Sequence, residues 1–229
     1  MEFLKHKLYE YNEIASMITE DVLSRSYRII ALTGTSGVGK STFTQMIAKQ
    51  LTSHGFTVQI ISVDSYLKPA FRAGTNFWNR SDSSYLKPEH FDWKELCEDL
   101  STLRSGTPVE KQAYVRGIGW NTVSHYEPSD YYILEGLFLD SVLASEFMNY
   151  DLVIALTAED SIIRSLRVQR DAYYRKTSKT FKRTEEETLL EIENTLRAGK
   201  SYSIFPHWDH YLILHAKGAY NATIYIKNL

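Results

Sequence analysis

The chain has 229 residues, of which 43% are hydrophobic and 24% charged, with a formal net charge of -2. These values are ordinary for a soluble globular protein, and the charge excludes the broad basic footprint of a general nucleic-acid binder. A single cysteine, Cys97, excludes an intrachain disulfide, and no apolar run approaches membrane-spanning length. The opening residues lack the apolar stretch of a signal peptide, so a cytoplasmic protein with no membrane partner is expected. No repeat, low-complexity segment or linker interrupts 1–229, which reads as one domain; homo-oligomerisation is left open.

In chain order, Leu4, Leu8, Tyr11, Ala15, Ile18 and Val22 recur at steps of three and four, which predicts an N-terminal helix within 1–26. Residues 28–33 read as a buried strand. Residues 40–54 have helical character, with Phe43, Ile47 and Leu51 along one stripe and Gly55 as the stop. A second strand over 56–63 ends at Asp64. Residues 65–91 are rich in aromatic and polar side chains without a period, as expected of a functional loop or an acceptor-site insertion. Asp92 with Glu95 predicts the N-cap of a helix whose stripe is Trp93, Leu96, Leu100 and Leu103. Residues 107–129 read as irregular. Strands are predicted at 131–134 and 152–156, a basic helix over 161–174, a capped helix from Thr184 with Glu187 to Gly199, and a last short strand at 224–226. Strands alternating with helices predict an α/β fold, a mostly parallel sheet covered on both faces.

Between the first buried strand and its helix stands Gly34-Thr35-Ser36-Gly37-Val38-Gly39-Lys40-Ser41. This is the G-x-x-x-x-G-K-[ST] spacing of a phosphate-binding loop, in the context that motif requires. Glycines let backbone N–H groups surround a triphosphate, and the helix beginning at the loop adds its positive end. Lys40 would meet the β- and γ-phosphates, and the hydroxyl of Ser41 would face Mg²⁺, with Thr42 following. A second Gly-Lys-Ser, at 199–201, has Asn194 at its upstream glycine position and no preceding strand, and reads as a helix stop.

Phosphoryl transfer also needs a base and charge neutralisation. Asp64 and Glu135 both end strands on the side where an open parallel sheet gathers ligands. Asp64 is the candidate base or Mg²⁺-water partner, and Glu135 the candidate Mg²⁺ acid. Asp151 lies before its strand, at the wrong end. Arg164, Arg167 and Arg175 fall on one side of the basic helix and Arg170 further round, so 160–183 reads as a lid that could stabilise transferring charge. Trp78, Tyr85, Tyr114 and Trp120 are candidates to line an acceptor pocket, and Arg72, Arg80 and Arg116 to read a charged acceptor.

Four segments in this order resemble the uridine kinase and phosphoribulokinase family of P-loop kinases, which also includes bacterial pantothenate kinase. They are Gly34–Ser41, Val63-Asp64-Ser65-Tyr66, Ile133-Leu134-Glu135-Gly136 and Arg167-Val168-Gln169-Arg170-Asp171. The resemblance implies a P-loop α/β sandwich with a mobile lid, and transfer from ATP with Mg²⁺ to a hydroxyl of a small molecule, a nucleoside first. It implies Asp64 as base, Lys40 on the phosphates, Ser41 and Glu135 at Mg²⁺, and Arg167 and Arg170 in the lid. Tyr66, Tyr85, His90, Tyr114, Arg116 and Arg164 are the candidate acceptor contacts. Asp64-Ser65-Tyr66-Leu67-Lys68-Pro69 is closer to the pantothenate kinase form, and a sugar or phosphoribulose acceptor also stays open. The alternative from another class is a regulatory NTPase acting on a protein partner.

Overall fold

The computed structural model describes residues 8–72, 86–115, 119–179, 181–199, 211–217 and 221–227. Its core strand, β2 (Ile29–Gly34), is buried on both faces because each alternate residue meets a separate apolar layer. Ile30 and Leu32 join one layer, with Phe43, Ile47 and Leu51 of α2 (Lys40–Ser53) and Ile14, Ile18 and Val22 of α1 (Tyr11–Arg25). Ile29 and Ala31 join the other, with Trp93, Leu96, Leu100 and Leu103 of α4 (Trp93–Arg104). A strand apolar at every position is what a sheet sandwiched between helices demands.

The remaining sheet strands are β1 (Leu8–Glu10), β3 (Val58–Ser62), β6 (Tyr131–Glu135), β7 (Leu152–Ala158), β8 (Tyr211–Ala216) and β9 (Asn221–Lys227). Among the described residues the order is β1-β9-β8-β7-β2-β6-β3. Strands β8, β7, β2, β6 and β3 pair in parallel, and β9 pairs antiparallel with both β8 and β1. A separate antiparallel hairpin, β4 (Val109–Val115) with β5 (Gly119–Tyr126), occupies most of the stretch expected to be irregular. Alternation there is weak because Glu110, Lys111 and Gln112 are polar, yet Lys111 is buried over the Tyr66 ring and ion-paired with Glu95 and Asp99.

The N-terminal helix also begins later than its periodicity suggests. Leu8 lies in β1 and is 53% exposed, while α1 starts at Tyr11 behind a reciprocal cap between Glu10 and Glu13. That capping box stops the helix from extending back through Leu8. The 161–174 helix is α6 (Asp160–Thr177), and Thr184 and Glu187 form the anticipated box at the start of α7 (Glu185–Gly199). Two short helices, α3 (Pro69–Arg72) and α5 (Val142–Ser145), and two 3-10 turns, Val63–Tyr66 and Pro88–His90, complete the described elements.

Carboxylates fasten the amino ends of the strands. Asp151 Oδ2 accepts the N–H groups of Arg28 at 2.7 Å and Ile29 at 2.8 Å. Asp130 Oδ2 accepts the N–H and hydroxyl of Thr57 at 2.9 and 2.8 Å, and these bonds hold its pKa below the usual carboxylate range. Asp151→Ala removes two charge-assisted bonds and is expected to cost about 1–3 kcal/mol, read by urea denaturation, with enzyme kinetics unchanged because the functional end of the sheet is opposite.

Candidate functional site

Strands β2, β3 and β6 run in parallel, so their carboxyl ends converge on one edge of the sheet. From β2 the chain enters the phosphate loop, with Thr35, Ser36 and Gly37 half-buried and Val38 fully buried as the loop's apolar anchor. Gly37 has φ 88°, and an added Cβ would collide with the Arg167 side-chain stem. The Arg167 stem therefore lies directly against the loop. At the head of α2, Lys40 Nζ donates to Gly34 O at 2.8 Å and Thr35 O at 3.1 Å, while Ser41 and Thr42 are exposed.

The Ser41 hydroxyl donates to the Glu135 carboxylate, 2.9 Å from Oε2 and 3.2 Å from Oε1. Strand β3 stops at Ser62, and Asp64 sits in the 3-10 turn Val63–Tyr66 that follows, half-buried. The turn comes close because Gly136 follows Glu135: an added Cβ there would stand 2.6 Å from Val63 Cβ. Burial lowers the Lys40 pKa, and Glu135 and then Asp64 pull it back up, while Arg170 and Arg167 oppose them. Burial raises the Glu135 carboxyl, Lys40 lowers it and Asp64 raises it again. Lysine, two carboxylates and two arginines thus share one electrostatic neighbourhood.

Hydroxyl and carboxylate oxygens suit a hard cation such as Mg²⁺. Among the described residues, no three His, Cys, Asp or Glu side chains group as a metal site. Mg²⁺ in kinases is commonly held by one or two protein oxygens together with phosphate oxygens, and Ser41 and Glu135 present oxygens of that kind.

Helix α6 uses its arginines in two directions, as their angular spacing anticipates. Arg164, Arg167 and Arg175 turn to α7. Arg164 pairs with Glu193 at 2.7 and 2.9 Å, Arg175 donates to the Thr188 hydroxyl at 3.0 Å, and Arg167 reaches Glu191 and the Thr195 hydroxyl. Arg167 is fully buried. Arg170 lies 3.0 Å from Asp171, which also accepts from Arg183 at 3.0 Å. In this conformation the Arg164 guanidinium is engaged by α7.

The other candidate acceptor residues are spread around the turn. Tyr66 is buried, its hydroxyl donating to Asp99 at 3.0 Å beneath Lys111. His90 stacks on Phe71 with ring centroids 3.9 Å apart. Tyr114 leans on Trp120 at 5.3 Å across the hairpin. Tyr85, Arg116, Trp78 and Arg80 lie outside the described residues. Sequence reasoning missed Asp140, whose Oδ1 accepts the Thr33 hydroxyl at 2.9 Å just before the loop, and Lys111, which pairs with Glu95 and Asp99. No local pattern marks either residue; both depend on cross-chain pairing.

The fold with this loop and these strand ends is that of a P-loop kinase. Residues 29–181 match the model of the phosphoribulokinase / uridine kinase family, and the chain belongs to that family. It is an ATP-dependent small-molecule kinase. The uridine kinase of Latilactobacillus sakei is 33% identical over 147 residues, 62% of this chain and 66% of that protein. The uridine kinase of Staphylococcus epidermidis is 30% identical over 198 residues, 84% of this chain and 89% of that one. Among solved structures, a D-glycerate 3-kinase from Cryptococcus neoformans superposes with a TM-score of 0.59 at 13% identity, covering 91% of this chain and 96% of that one, a likeness of fold.

Gly136→Ala forces the Val63 turn away from Glu135. Phosphoryl transfer is expected to fall about tenfold or more, since small misplacements of reacting groups are costly. Nucleotide affinity should hold; steady-state rates beside a nucleotide titration check both.

Proposed function

We propose that the enzyme moves the γ-phosphate of ATP to a hydroxyl of a nucleoside, with uridine the first acceptor to test. The observation that carries this reading is the convergence at one edge of the sheet of Lys40 on the loop carbonyls, Glu135 against the Ser41 hydroxyl, and the Asp64 turn packed at Gly136. In it, Asp64 takes the proton of the attacking hydroxyl as the oxygen bonds to phosphorus and the bond to ADP breaks. Gly34 to Thr42 cradle the phosphates, and Lys40 neutralises charge on them. Ser41 and Glu135 would hold Mg²⁺, which when bound supplies charge neutralisation across the phosphate oxygens. Arg170 adds positive charge from α6 to the transferring group, whereas Arg167, expected to do the same, is fully buried with its guanidinium on Glu191 and Thr195 and meets the phosphate loop only through its stem. Aromatic side chains of the hairpin, Tyr114 above all, offer faces for a flat base.

The relatives named uridine kinase support a nucleoside acceptor. One observation favours a second reading, a pantothenate- or sugar-type acceptor: the acidic residue that the uridine kinase resemblance implies for the ribose hydroxyls falls near Leu86, which is apolar and only 8% exposed within the apolar layer. The lone cysteine, which suits a reducing compartment, supports the further reading of a cytoplasmic enzyme.

ADP release from MgATP is measured against uridine, cytidine, other nucleosides, pantothenate, ribulose 5-phosphate and simple sugars. Stimulation by a nucleoside alone supports the proposal; stimulation only by another class replaces the acceptor, and steady hydrolysis without stimulation replaces the kinase reading by an NTPase. Asp64→Asn is expected to keep nucleotide affinity while transfer falls about 10²–10⁴-fold. Near-normal transfer in that variant removes Asp64 from the mechanism.

A further inference from the structure

One guanidinium joins the turn that carries Asp64 to the hairpin. Arg72, the last residue of α3, donates through Nε to Leu67 O and through Nη2 to Ser65 O at 3.3 Å. Those carbonyls lie one and three residues after Asp64, whose own carbonyl accepts the N–H of Leu67 at 3.3 Å. Through Nη1 the same side chain donates to Gln112 Oε1 on β4 at 3.1 Å. Its plane lies over the Trp120 ring on β5, 4.7 Å from the centroid. Gln112 Nε2 in turn donates to Trp120 O at 2.9 Å, and Trp120 supports Tyr114.

All three guanidinium nitrogens and the π-face are therefore used, on two elements distant in sequence. A rigid fork of donors with a flat face can do this, and an ammonium cannot. We infer that Arg72 is a positioning residue that couples the placement of the β4–β5 hairpin to that of Asp64, so that an acceptor seated against the hairpin draws the Asp64 turn into register. The inference rests on the assignment of Asp64 as base. It also gives Arg72 a role other than reading charge on an acceptor, because each of its three nitrogens already donates within the protein.

The test is a double-mutant cycle with Arg72→Lys, Asp64→Asn and the double variant, assayed with MgATP and uridine or whichever acceptor the panel identifies. Arg72→Lys keeps the charge and most of the stem. It is expected to lower kcat about tenfold and to raise the acceptor KM, with nucleotide affinity unchanged, as misorientation at a reacting centre predicts. The double variant should be no slower than Asp64→Asn, because Arg72 acts through Asp64. Trp120→Leu, which removes only the stacking face, should shift the acceptor KM in the same direction. Normal kinetics in Arg72→Lys with only a lower melting temperature would overturn the coupling, as would losses that multiply fully in the double variant. Normal transfer by Asp64→Asn sinks the base assignment and the coupling together; a normal Arg72→Lys beside an inactive Asp64→Asn sinks the coupling alone.

Discussion

The arrangement depends on one half-buried ammonium. Lys40 is held at the root of the phosphate loop by two loop carbonyls, in surroundings that disfavour its charge. Two carboxylates, Glu135 and Asp64, offset that cost. Each must arrive from a different strand, so three parallel strands have to end at one level. The register of β2 with β6, and of β6 with β3, achieves this by pairing Leu32 with Glu135 and Ser62 with Glu135. Close approach of the third strand then requires a residue without a side chain after Glu135, which Gly136 supplies.

Helices α6 and α7 solve a related problem by another route. Arg167, Asp171, Arg183 and Glu191 bring four charges into a buried cluster between α6 and α7, with Thr188 and Thr195 closing hydrogen bonds. Buried charges are tolerated when paired in this way, and removing one member leaves the others uncompensated. The cluster fixes the Arg167 stem against Gly37, so the packing of α7 bears on the phosphate loop through a single side chain. Tyr11 does something similar from the other side. It is buried in contact range of Gly39 and packs on Phe43 at 5.2 Å, in a helix preceding the segment matched by the family model.

Much of this was legible in the residues. The phosphate loop is a local motif between a strand and a helix, and apolar runs ending in Asp64 or Glu135 imply strand ends near it. The grouping of Arg164, Arg167 and Arg175 apart from Arg170 follows from helical geometry alone. What those arginines touch does not, because their partners Glu193, Glu191 and Thr188 lie on another helix. The hairpin was hidden because Lys111 is buried and ion-paired with Glu95 and Asp99, so the strand carries a charge where an apolar residue would mark it. Strand β1 was hidden by coincidence of spacing: Leu8 falls in phase with the helix that follows but serves β9 instead. Arg72 and Asp140 carry no local signature, since each acts through groups far along the chain.

Strand β6 is five residues long and has an acid at each end. Asp130, before it, accepts the amide hydrogen and the hydroxyl of Thr57 and binds its own proton more weakly than usual. Glu135, at its end, has no such amides among its hydrogen-bond donors and holds its proton more tightly. The difference comes from surroundings: hydrogen bonds from Thr57 favour the ionised form of Asp130, whereas burial disfavours the ionised form of Glu135. One carboxylate is spent as a fastener between strands. The other stands beside Lys40 and the Ser41 hydroxyl, so the two ends of one strand divide between scaffold and site.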